Sequence, residues 1–270
     1  GLELIAPDER DVRRADTRGV GLMIRAALDA GAQRLLLGIG GSATNDGGAG
    51  MLAELGARFL DASGRRIGTS PDALAALASV DLRGMDPRLA GLRVEAACDV
   101  DNPLLGERGA SAVFGPQKGA APEDVEFLDS VLERWAEASG RRELARRPGA
   151  GAAGGLGFAL LAFLGAALEP GVELVSRAVG LAEAVTGAEL VLTGEGSVDA
   201  QTLAGKTPAG VARTAAARGV PTVILAGRVK PDADVLLSTG CVAILSVSQG
   251  QAQSLAQMLR AAPVNTERAA

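Results

Sequence analysis

Short, continuously apolar runs that lead into glycine-rich loops constrain this chain most. Residues 35–37 lead into Gly38-Ile39-Gly40-Gly41-Ser42-Ala43-Thr44-Asn45-Asp46-Gly47-Gly48. Residues 190–192 lead into Thr193-Gly194-Glu195-Gly196-Ser197-Val198-Asp199 and on to Lys206. A run of this length without alternation reads as a strand buried on both faces of a parallel sheet. The C-terminal part repeats the pattern. A helix over 173–186 precedes a strand over 190–193. Thr207 as N-cap and Pro208 in the first turn open a helix that Gly219 closes. Strands over 223–226 and 242–247 alternate with helices over 231–238 and 252–262. The expected class is α/β, with helices on a parallel sheet.

The N-terminal part supplies a helix over 17–30, with Val20, Met23, Ile24, Ala27 and Leu28 on one stripe, and a strand over 35–39. Further on, strands are expected over 57–60 and 92–97. An amphipathic helix over 122–139 turns Val125, Leu128, Leu132 and Trp135 inward, and an apolar buried helix is expected within 151–168. The expected organisation is a parallel-sheet α/β/α, Rossmann-like domain made of 1–46 and 176–270, interrupted by an inserted α/β domain over 47–175.

Composition narrows the chemistry. Among 270 residues there is no His, which removes Ser-His-Asp and Cys-His catalysis and every His-ligated metal site. Any general base must be Asp, Glu or Lys. A net charge of −5 and 2% aromatic residues argue against grooves that track nucleic acid. Cys98 and Cys241 read as buried reduced thiols. No leader peptide or bilayer-length apolar stretch is legible, so the expectation is cytoplasmic, with no membrane partner.

Both glycine loops combine close backbone approach and hydroxyl donors with carboxylates. Donors suit an anion, whereas carboxylates suit a cation or a proton. Together they point to phosphoryl transfer with a divalent ion. Other readings stay open. Gly38-x-Gly40-x-x-Ala43, with Asp61 downstream, matches a relaxed dinucleotide fingerprint. Gly205-Lys206-Thr207 nearly completes a P-loop, but position 200 is Ala. Asp99 and Asp101 follow a strand end, where they could take a metal or a proton, or simply shape a turn. Gly115-Pro116-Gln117-Lys118-Gly119 is a tight turn with one cation. Arg141, Arg142, Arg146 and Arg147 read as a solvated loop or a phosphate clamp.

Taken in order, Gly38 to Gly50, Cys98-Asp99-Val100-Asp101-Asn102-Pro103-Leu104, Gly115 to Gly119, Gly151-Ala152-Ala153-Gly154-Gly155-Leu156-Gly157 and Thr193 to Gly210 resemble the bacterial class I glycerate kinases along nearly the whole chain. The resemblance implies ATP, Mg²⁺ and D-glycerate, with 2-phosphoglycerate as product. It also implies a two-domain α/β fold, an α/β/α domain interrupted by a second one. The expected partners are small molecules and, from composition, not nucleic acid; a homodimer is left open. Family members open with a strand and a Pro-Asp-Ser-Phe-Lys type motif, followed by Asp-Gly-Gly-Glu-Gly. By the resemblance, roughly a hundred residues of that kind are absent here. That leaves the activity of this stretch alone, or a role as a non-catalytic anion binder, open.

The resemblance marks the positions, and chemistry suggests the roles. Gly40, Gly41, Ser42, Thr44, Asn45, Gly194, Gly196, Ser197, Gln201 and Thr202 are expected to contact oxyanions of the nucleotide or substrate. Lys118 and Lys206 would neutralise phosphate or carboxylate charge. Asp46 and Glu195 would hold Mg²⁺. Asp199 is the expected acceptor of the hydroxyl proton, with Asp99 as rival.

Overall fold

A computed structural model describes residues 1–204, 206–248 and 255–269. It divides into two compact units, Gly1–Glu169 and Pro170–Ala270.

The first unit contains helices α1 (Arg18–Asp29), α2 (Ala49–Glu54), α3 (Pro71–Leu74), α4 (Ala110–Phe114), α5 (Pro122–Ala138) and α6 (Ala152–Phe163). Its strands are β1 (Arg34–Gly38), β2 (Arg58–Leu60), β3 (Ser79–Asp81), β4 (Arg93–Ala97) and β5 (Ala167–Glu169). A parallel sheet runs in the order β1-β4-β5, and β2-β3 form a separate antiparallel pair. α1 buries Ile24 and Leu28, as its stripe requires. The core gathers around Trp135 of α5, which stacks on Phe163 at 5.6 Å between centroids and tilts against Phe59 at 5.2 Å. Its indole N–H does not go unpaired: Nε1 donates to the Gly47 carbonyl at 2.9 Å. That bond ties the core to the first glycine loop.

The second unit contains α7 (Gly171–Ala178), α8 (Leu181–Ala184), β6 (Val191–Val198), α9 (Thr207–Ala216), β7 (Thr222–Val229), β8 (Cys241–Ser246) and α10 (Leu255–Ala269). Its sheet is wholly parallel in the order β6-β7-β8. Val198, Ile224 and Ala226 pack on Ala209 and Ala212 of α9 and on Leu236. Leu192 and Leu245 remain 48% and 44% exposed.

Several boundaries differ from the expected ones. Strand β1 pairs with β4, which in turn pairs with β5, within the first unit, so, among the described residues, positions 1–46 do not share a sheet with the C-terminal strands, and the two compact units divide at 169/170 where 46 and 176 were expected. The helix expected over 173–186 is two helices, because Gly180 takes a left-handed φ of 67° between them. The apolar helix within 151–168 stops at Phe163, and β5 follows. Lys206, not Thr207, caps α9. The 231–238 segment is a 3₁₀ helix, Ala233–Thr239. Gly205 and residues 252–254 lie outside the described residues. Among the described residues, no helix is long and apolar enough to cross a membrane.

Candidate functional site

The first glycine loop leaves the C-terminal end of β1, where ligands of parallel α/β sheets commonly sit. Gly41, Gly47 and Gly48 take φ of 68°, 62° and 79°, a region that L side chains avoid. Asp46, expected as a metal ligand, is fully buried and does different work. Its Oδ2 accepts from Thr17 Oγ1 at 2.7 Å, Thr17 N–H at 2.8 Å and Gly50 N–H at 2.9 Å, while Oδ1 accepts from Gly48 N–H at 3.2 Å. Desolvation raises its pKa, and the donors from Gly50 and Thr17 oppose that. Three donors saturate Oδ2, and Oδ1 is buried with the Gly48 N–H on it, so the carboxylate offers a metal no open face. It joins the start of α1 to the start of α2, a buried acceptor whose donors are all protein groups.

Asp46 also occupies the N-terminal turn of α2, where a dinucleotide pyrophosphate would otherwise dock. Asp61, the ribose-binding acid of that alternative, folds back on its own turn. Its Oδ1 accepts from Ser63 Oγ at 2.6 Å and its Oδ2 from Arg65 Nε at 3.1 Å, and the Ser63 bond leads in lowering its pKa to about 2. These geometries leave the dinucleotide reading without its two diagnostic contacts.

Thr44, Asn45 and Lys118 do come together. Lys118 is 1% exposed, and its Nζ donates to the Thr44 carbonyl at 2.8 Å. No carboxylate lies within ion-pair distance of it among the described residues. Burial lowers its pKa to about 8, with the Asp46 charge working in the opposite direction. An unpaired buried ammonium is expensive, so such groups mark functional sites more often than structural ones. Beside it, Asn45 is fully buried. Its Nδ2 donates to Ser111 Oγ at 3.0 Å, and its Oδ1 has no partner.

Lys118 lines a cavity of about 460 Å³ together with Gly40, Gly41, Ser42, Asp99 and Gln117. The rival carboxylate Asp99 therefore shares a wall with the first loop. Asp101 does not join it, because Arg108 Nη2 donates to it at 3.1 Å on the surface. Cys98 lines the same cavity as a free thiol, and burial raises its pKa. The arginine cluster belongs to solvent: Arg142 pairs with Glu133 at 2.6 Å and Glu137 at 3.0 Å, all three well exposed.

In the second unit, Gly194, Glu195, Gly196 and Ser197 are not a loop. They continue β6, with Gly194 opposite Leu225, Glu195 opposite Ala226 and Ser197 opposite Arg228. Gly194 serves strand packing, since a Cβ there would lie 2.3 Å from the Leu225 carbonyl, whereas a Cβ at Gly196 would meet nothing within 4 Å. That use of the backbone differs from the expected anion-binding bend. The loop proper starts at Asp199, and there the expected side chains converge. Glu195 Oε1 accepts from Thr202 Oγ1 at 2.5 Å, and Thr202 is fully buried. Asp199 Oδ1 accepts from the Gln201 N–H at 3.0 Å and lies 3.8 Å from Lys206 Nζ. Its Oδ2 accepts from Lys230 Nζ at 2.8 Å. The Lys230 bond is the leading cause of the lowered Asp199 pKa. Lys230 escaped sequence reasoning, although its place at the end of β7, before Pro231, is a readable signal. A cavity of about 820 Å³ is lined by Gly194, Glu195, Gly196 and Ser197 together with Leu192, Leu225 and Thr266.

The whole chain, residues 1–270, matches the model of the glycerate kinase family. It is 48% identical over 253 residues to the glycerate kinase of Bacillus subtilis strain 168, covering 93% of this chain and 66% of that protein. It is 46% identical over 250 residues to the glycerate 2-kinase of Escherichia coli K12, covering 92% of this chain and 66% of that protein. A crystal structure from Salmonella typhimurium LT2, provisionally named glycerate kinase 2, superposes with a TM-score of 0.85 at 46% identity, covering 98% of this chain and 70% of that one. The chain thus spans 66% of the length of the curated relatives it matches first.

Proposed function

The chain belongs to the glycerate kinase family, and from that premise we propose that the protein transfers the γ-phosphoryl group of ATP to the 2-hydroxyl of D-glycerate, giving 2-phosphoglycerate. The names of its relatives support the substrate and the class of reaction. The observation that carries the reading in this chain's own residues is Lys118, a buried ammonium without an ion pair beside the Gly40–Ser42 loop. Phosphoryl transfer through a loose transition state asks the protein chiefly to position reactants and to neutralise spread negative charge. Lys118 meets the second demand at the first loop, and Lys206 and Lys230 meet it around Asp199.

The donor set suits Mg²⁺ at Glu195. One of its oxygens is oriented by Thr202, and the other has no hydrogen bond among the described residues. Mg²⁺ typically takes one or two protein carboxylates and fills its shell with water and phosphate oxygens. When bound, Mg²⁺ would supply charge neutralisation across the phosphates. Asp46 drops out of that role and holds the loop instead.

Asp199 serves as acceptor of the hydroxyl proton. Its lysine partners keep it ionised at neutral pH, which makes it a weak but always available base, and a loose transition state needs little more. Asp99, beside Ser42, is the competing group. Gly40, Gly41 and Ser42 line the first pocket, with Thr44 holding Lys118 through its carbonyl and Asn45 next to it in the chain, while Gly194, Gly196, Ser197, Gln201 and Thr202 frame the second group. A coupled assay of ADP release with ATP, Mg²⁺ and D-glycerate tests the reading. Release that depends on D-glycerate supports it, and release no faster than without the acid overturns it.

A further inference from the structure

Arg10 stands outside every motif of the sequence, yet the fold brings it against the turn that carries Lys118. Its Nη1 donates to the Gln117 carbonyl at 3.0 Å, across 107 residues of chain. The two segments are fixed closely together: Gly119 takes a φ of 97°, and a Cβ there would lie 2.5 Å from the Arg10 carbonyl. Arg10 Nε is shielded from solvent and has no hydrogen-bond partner. A cavity of about 530 Å³ is lined by Arg10, Arg14 and Lys118, with Glu9 and Asp11 as the acids present. Asp11 is partly committed, since its Oδ1 accepts from the Arg13 N–H at 3.2 Å. Lys118 also lines the Gly40–Ser42 cavity, whereas Arg10 and Arg14 line only the 530 Å³ one, so Lys118 is the wall the two cavities share.

We infer that Arg10 and Lys118 form a carboxylate subsite that anchors the acid group of the hydroxy-acid substrate. The inference rests on the kinase reading above and assigns one end of its substrate. With Nη1 taken by a carbonyl and Nε shielded from solvent, the guanidinium keeps Nη2 and its delocalised charge for a carboxylate oxygen. The ammonium of Lys118 completes the charge, and the anion would relieve a buried cation that has no ion pair among the described residues. Arg14, exposed on the same wall, adds attraction for an incoming anion.

The test is the protein with Arg10→Gln and, separately, Arg10→Lys, assayed for KM of D-glycerate and of ATP and for turnover of glycerol, which lacks the carboxylate. Arg10→Gln should raise KM for D-glycerate about 30-fold, leave KM for ATP within about twofold and leave glycerol turnover unchanged. Arg10→Lys should raise KM for D-glycerate by several-fold, because an ammonium keeps the charge without the guanidinium's second arm, which holds Gln117 while Nη2 meets the acid. A rise in KM for ATP instead, which would mean a phosphate subsite, overturns the inference. So does an equal loss with glycerol, which would mean a merely structural role, and so does an unchanged KM for D-glycerate. If Arg10→Gln does not fold, the Arg10→Lys values decide by the same criteria. Failure of the kinase reading is seen separately, as wild-type protein that releases no ADP with D-glycerate. In that case calorimetric titration with D-glycerate decides: heat seen with wild type and lost in Arg10→Gln supports the subsite, and its absence from wild type overturns it.

Discussion

Lys118 Nζ donates to the carbonyl of Thr44 at 2.8 Å and is otherwise a buried cation without a counter-ion among the described residues. One neutral acceptor does not offset the desolvation of an ammonium. The arrangement is stable because the rest of the first unit holds it. Trp135 Nε1 is bonded to the Gly47 carbonyl, and a Cβ at Gly154 would lie only 1.9 Å from the Thr44 carbonyl. The loop cannot drift away from its lysine, and the charge waits for an anion.

Lys118→Met should therefore separate stability from activity. Removing an unpaired buried charge leaves the melting temperature unchanged or raises it by a few degrees, while kcat/KM for D-glycerate falls at least a hundredfold. Thermal melts beside steady-state rates check both. A large loss of melting temperature would mean that Lys118 is a structural strut.

The pH dependence follows from the same residue. Burial lowers the Lys118 pKa from 10.5 to about 8, so between those values the unfolded chain binds more protons than the folded one. Stability from this group then rises with pH across that window, by an amount on the order of 3 kcal/mol, and below pH 8 its full cost is present. The difference in unfolding free energy between wild type and Lys118→Met, followed from pH 7 to 10, isolates the term. Substrate affinity runs the other way: KM for D-glycerate should climb above pH 8 as the ammonium loses its proton.

Asp46→Asn tests the structural reading of that carboxylate. An amide cannot accept from Thr17, Gly48 and Gly50 together, so the substitution should destabilise the protein by about 2–4 kcal/mol. The Mg²⁺ concentration giving half-maximal rate should stay the same. A tenfold shift in that concentration, with little loss of stability, would restore Asp46 as a metal ligand.

Asp199→Asn should lower kcat by two or more decades with KM for ATP little changed. Asp99→Asn serves as its comparison, since Asp99 lines the pocket of the first loop. Near-normal turnover in Asp199→Asn, with collapse in Asp99→Asn, would move the proton acceptor to Asp99.

Much of the fold was legible because its causes are local. The stripe Ile24–Leu28 put α1 over Arg18–Asp29, and the apolar run at 35–37 put β1 over Arg34–Gly38. Gly194 misled, because a glycine needed for close strand approach and a glycine needed for a bend look alike in sequence. Only the neighbouring Leu225 carbonyl distinguishes them. Asp46 lies just ahead of α2 and could have been read as a capping acid, yet its partner Thr17 comes from a distant segment. Lys118 and Thr44 were both singled out, but their hydrogen bond spans 74 residues and no spacing rule encodes it. Arg10 had no signal at all, since its role arises only when residues 107 apart meet.

The most direct measurement is phosphorus NMR of the protein incubated with ATP, Mg²⁺ and D-glycerate. A growing phosphomonoester resonance matching 2-phosphoglycerate, together with ADP in equal amount, is the expected result. A resonance of 3-phosphoglycerate would contradict the assigned hydroxyl, and a spectrum with only ATP and free phosphate would contradict the transfer itself.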